Sequence, residues 1–125
     1  MNIRKRSIWG FTLAILLVAG LRVARAEGQP ETIKGYVLDS ACAFTKGLKK
    51  PISSECAVAC ARAGSPLVIL TEAGTIYWPI SEAPPAQGQN PRLMEFAGRM
   101  VLVKGEVYQR GGSRAVVIAT IEAAK

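Results

Sequence analysis

The chain has 125 residues, half of them hydrophobic, with 16 basic and 9 acidic residues, a net charge of +7, three cysteines and no histidine. That length suits one domain of ordinary size. The missing histidine excludes Ser-His and Cys-His catalytic pairs, and with them the copper-chaperone and oxidase copper sites that recruit histidine.

The first segment explains most of the charge. "MNIRKRS" is a basic leader, "IWGFTLAILLVAGL" an apolar run, and "RVARA" ends in Ala24-Arg25-Ala26, a small-residue cleavage site. That order predicts a secretory signal peptide over residues 1–26 and a chain that continues from Glu27. The apolar run is broken by Gly10, Thr12 and Gly20 and stops at Arg22, which argues against a stable membrane anchor. Five of the sixteen basic residues lie in this segment and none of the nine acidic ones does, which leaves residues 27–125 at +2. Nucleic acid is therefore not an expected partner, because the basicity belongs to the sorting signal. The expected address is the periplasm or the extracellular space, where disulfides form.

Residues 27–125 read as a single domain. "EGQPE" (27–31) is a frayed start, and "TIKGYVL" (32–38) a first strand. "DSACAFTKGLKKPI" (39–52) has no period and reads as a loop. "SSECAVACARAG" (53–64) reads as a helix, capped by Ser53 or Ser54 and closed by Gly64. "PLVILT" and "TIYWPI" form a hairpin around "EAG", and "SEAPPAQGQ" (81–89) holds no regular element. Asn90-Pro91 opens a second helix over "PRLMEFAG". In "RMVLVKGEVYQ", Val101, Val103, Gly105 and Val107 share one face, with Lys104, Glu106 and Tyr108 on the other. "RGGS" turns the chain into a partner strand, "RAVVIATIEA".

Five strands with a short helix between the third and fourth follow the order of an OB-fold, a small closed Greek-key barrel. The expected fold is thus mainly β: a five-stranded OB-like barrel with one cysteine-bearing helix after strand 1. An open five-stranded sheet packed by that helix is the competing arrangement. Gly35 and Gly105 fall inside strands, where barrels bend or bulge. Trp78, alternating with Ile76 and Ile80, reads as core; Tyr77 and Trp78 together can otherwise form a stacking surface.

The chemistry rests on Cys42, Cys56 and Cys60. Cys56 and Cys60 are one helical turn apart, with Cβ atoms about 5–6 Å from each other. That exceeds the roughly 3.8 Å of a disulfide, so either must seek Cys42 instead. One reading is a staple from Cys42 to Cys56, with Cys60 as the alternative partner. It closes a loop of about 15 residues, worth roughly 3 kcal/mol. A second reading is a soft-metal site for Cu(I) or Zn(II) on Cys42, Cys56 and Cys60, with Asp39 as the nearby fourth ligand. A third is redox catalysis by Cys56 near its helix N-terminus, though catalytic dithiols usually adopt C-x-x-C spacing. The glutamates are scattered and form no acid/base pair, and no phosphate loop or haem motif occurs.

The segments "KGYVLDSAC", "CAVACARAGSPLVILTEAGTIY" and "FAGRMVLVKGEVY" resemble a family of small secreted bacterial OB-like domains with a D-S-x-C … C-x3-C … A-G-x-x-V-x-V-x-G pattern. The resemblance spans residues 32–122 and singles out Asp39, Cys42, Cys56, Cys60, Gly64 and Gly105. It implies the fold and the exported address, and no established activity. Members often carry a histidine near the cysteines, which this chain lacks. The expected function is therefore an exported, non-catalytic binding or accessory module for a protein or small ligand. A disulfide from Cys42 holds it and it needs no cofactor, the Cu(I)- or Zn(II)-binding protein being the alternative.

Overall fold

A computed structural model describes residues 28–125, so the expected signal peptide and cleavage site lie outside the described residues. Five strands close into a barrel in the order β1-β2-β3-β5-β4. They are β1 (Gln29–Asp39), β2 (Leu67–Leu70), β3 (Ile76–Pro79), β4 (Met100–Arg110) and β5 (Ser113–Ala123). All neighbours are antiparallel except β3 and β5, whose parallel pairing of Tyr77 with Arg114 and Pro79 with Val116 shuts the barrel. The closed OB-like barrel is therefore the fold, and the open sheet is not.

Long strands β1, β4 and β5 make the wall, and glycine lets them bend. β1 pairs with β4 through residues 29–36 and with β2 through residues 36–39. Gly35 sits at that transfer, where a Cβ would lie 2.7 Å from the Leu70 carbonyl oxygen. Gly105 faces the Val117 carbonyl, and any Cβ there would collide with it. Beside Gly105 the register shifts: Lys104 faces Thr120 while Gly105 faces Ile118, which leaves Ala119 as the extra residue of a bulge. The start read as frayed is in fact strand, because Gln29, Pro30 and Glu31 find partners in Val107, Glu106 and Gly105.

Inside the barrel, Val101, Val103 and Val107 from β4 meet Ile33, Ile69 and Val116, all buried. Lys104 and Glu106 point to solvent, as the alternation requires. A second apolar cluster lies outside the wall: Leu38, Val68 and Leu70 pack with Ala43, flanked by Ile76 and Trp78. β2 is therefore buried on both faces. This outer layer corrects the reading of β3. Tyr77 is its buried residue, and Trp78 is half-buried in the outer cluster, where it tilts against exposed Phe44 at a centroid distance of 6.2 Å. Tyr77 pairs with inward-facing Ile69, so the barrel interior takes Tyr77 and alternation sends Trp78 out.

Three short helices occupy the connections. The segment read as a loop from residue 39 contains α1 (Ser40–Thr45), because the Asp39 side chain caps it and Thr45 Oγ1 donates to the Ala41 carbonyl at 2.8 Å. α2 (Ser54–Arg62) starts at the Ser53 cap and packs along β1. The second predicted helix is shorter than its sequence signal: α3 (Asn90–Leu93) gives way to a 3-10 turn, Met94–Phe96. Leu93 from α3 is fully buried in the barrel core. Asn90 ties three segments together. Its Oδ1 accepts from Leu67 N at 2.8 Å, and its Nδ2 donates to Ser65 O at 2.8 Å and to Ala61 O at 3.3 Å. Among the described residues no helix is long and apolar enough to cross a membrane.

Candidate functional site

β1 ends at Asp39, and its last residue builds the site. Asp39 is 1% exposed, the buried charged residue of the described chain. Its Oδ2 accepts the backbone N–H of Cys42 at 3.2 Å, as an N-cap does for a donor that has no helical partner. This places Cys42 in the first turn of α1, half-buried and directly against the acid.

The other two cysteines arrive on α2. Ser53 Oγ accepts Cys56 N–H at 3.1 Å, which sets Cys56 in the first turn of that helix, exposed to solvent. Cys60 follows one turn later, half-buried. The start of α2 is seated on Gly98, whose φ of 77° and contact with Ser54 leave no room for a side chain. Barrel and helix are thus locked together at the end where the thiols lie.

Between α1, α2 and the loop joining them is a cavity of about 70 Å³. Asp39, Cys42 and Cys56 line it, with Lys46, Lys49 and Ser53 among the other lining residues. Cys60 does not line it.

The thiols are not equivalent. Cys42 is pushed up from 9.0 to about 11, first because its thiol hydrogen-bonds to Asp39, then through burial and the charge of that carboxylate. Lys46 pulls in the opposite direction. Cys60 is also raised, first by burial, then by the charges of Asp39 and Cys56 and by a hydrogen bond to Cys56. Two of the three thiols, Cys42 and Cys60, are therefore biased toward the protonated form.

All three cysteines are free thiols, so the structure brings Cys42, Cys56, Cys60 and Asp39 together without closing a disulfide among them. Among the described residues, no group of three or more cysteines and carboxylates is arranged to hold a metal ion. The donor set for Cu(I) or Zn(II) is thus not preassembled. Lys46 and Lys49 escaped the sequence reading. Their signal was the lysine-rich stretch before Pro51, which only the fold of α1 turns toward the thiols. Compared with protein-family models, curated proteins and solved structures, the chain gives no match.

Proposed function

We propose that the chain is an exported, non-catalytic binding or accessory module whose helical corner is closed in an oxidising compartment by a disulfide from Cys42 to Cys56, with Cys60 as the alternative partner. The observation that supports this reading is the shared cavity: Cys42 and Cys56 line one space between α1 and α2, whereas Cys60 lies outside it. Cys56 and Cys60 are spaced too widely on an intact helix to bond with each other.

The staple closes part of the connection between β1 and β2, the longest stretch between two strands of the barrel. The barrel core and Asn90 hold the other connections. Binding is assigned to a protein or small ligand and not to nucleic acid, on the near-neutral charge of residues 27–125.

A thiol count on exported material tests the proposal. One free thiol, on Cys60, is the expected result. Three thiols that disappear on adding Cu(I) or Zn(II) would replace the staple with a soft-metal site.

A further inference from the structure

The three thiols differ in exposure, and this difference sets an order of reaction. Cys56 is exposed; Cys42 and Cys60 are half-buried. A reagent from solvent meets Cys56 first. Its amide is fixed by Ser53 in the first turn of a nine-residue helix. Cys42 is the opposite case, since its proton is held toward Asp39. The cavity between them is lined also by two lysines, Lys46 and Lys49. The charged and titratable groups around the two reacting sulfurs are thus Asp39 from β1, Lys46 and Lys49 from the loop, and Glu55 and Cys60 from α2.

We propose that this corner exchanges with low-molecular-weight disulfides bearing carboxylates: Cys56 attacks, Cys42 resolves, and Asp39 accepts the Cys42 proton. The proposal rests on the Cys42–Cys56 pairing proposed above and adds the oxidant class and the order of events.

In the first step the Cys56 thiolate attacks one sulfur of R–S–S–R. That S–S bond breaks, and R–S⁻ leaves and takes a proton from water, which has received the Cys56 proton. In the second step Cys42 attacks the Cys56 sulfur of the mixed disulfide while its proton passes to Asp39. The second R–S⁻ leaves and carries that proton away. Two electrons move from the protein dithiol to the small disulfide, giving two R–SH and one Cys42–Cys56 bond. The exchange is stoichiometric, in keeping with a non-catalytic module. Cys60 is a poor resolving group, because an intact α2 holds its sulfur a full turn from Cys56.

The test uses prereduced protein and oxidised glutathione, with acid quenching and peptide mass mapping. Wild type should show glutathione on Cys56 alone, giving way to the Cys42–Cys56 disulfide. Cys42→Ser should stop at the glutathionylated stage. Cys56→Ser should react on the order of tenfold more slowly or worse, because the remaining thiols are shielded and protonated. Asp39→Asn keeps the helix cap. It should resolve the mixed disulfide on the order of tenfold more slowly, and the lost rate should return as pH rises. Cystamine, a cationic disulfide, should load Cys56 more slowly than oxidised glutathione, with a difference that shrinks in salt. Glutathione appearing first on Cys42 or Cys60, or a Cys56→Ser protein that reacts as fast as wild type, would overturn the order of exchange while leaving the staple standing. Absence of any Cys42-containing disulfide, with glutathione or with dissolved oxygen as oxidant, would overturn the staple and the exchange together.

Discussion

The Asp39 carboxylate accepts the Cys42 backbone N–H at 3.2 Å and also holds the Cys42 thiol proton, so one buried acid both starts α1 and keeps its cysteine protonated. Burial of this kind is tolerated only when the acid is satisfied by a donor, and here the Cys42 amide supplies it.

This pairing predicts a pH dependence. Folding raises Cys42 from 9.0 to about 11, which favours the protonated thiol in the native state. The stabilisation is complete below the lower value and is lost as pH climbs through the upper one, because the unfolded chain then binds fewer protons than the native one. Reduced wild type should therefore lose stability relative to reduced Cys42→Ser as pH rises through this window. Melting curves of the two reduced proteins check it. A constant difference would mean that the thiol and Asp39 do not interact.

Asn90 should be the most costly polar side chain to remove from the connections between strands. Asn90→Ala deletes one accepted and two donated hydrogen bonds and leaves the Leu67 N–H without its partner at the edge of β2. With each bond worth about 1 kcal/mol and an unsatisfied donor costing about 1–3, the loss should be on the order of 2–4 kcal/mol. Urea denaturation measures it. A cost under about 0.5 kcal/mol would show that the three segments hold without this bridge.

Much of this architecture is legible in the residues, and the misses have physical causes. The alternating valines of β4 announce both the strand and its buried face, and "RGGS" announces the turn. Gly35 and Gly105 mark two close backbone approaches within the strands. Alternation also misled. Trp78 obeys the period along β3, but both faces of the neighbouring sheet are covered, so period alone does not say which face is the interior. α1 was hidden because its six residues are too few to show a hydrophobic period. Its start signal, Asp39 three residues before Cys42, reads in the sequence as a candidate metal ligand. The cysteine site was legible as residue types, whereas the protonation order of its thiols depends on burial that no spacing encodes.

The register of β4 gives a sharp contrast between neighbours. Val103→Asp places a carboxylate among Ile33, Ile69 and Val101 without a partner and should cost several kcal/mol. Lys104→Asp, exposed on the outer face, should change stability by less than about 0.5 kcal/mol. Chemical denaturation of both variants is the check, and equal effects would contradict the inward face assigned to β4.

The staple itself is tested most directly by thermal melting of oxidised wild type, Cys42→Ser, Cys56→Ser and Cys60→Ser, each repeated with reductant. Closing the loop should stabilise oxidised wild type by about 2–4 kcal/mol over its reduced form. For a domain of this size that is a shift on the order of ten degrees or more. Cys42→Ser and Cys56→Ser should each melt at the same temperature with and without reductant, while Cys60→Ser keeps the full wild-type difference. An oxidised Cys42→Ser protein that melts with oxidised wild type would contradict the account.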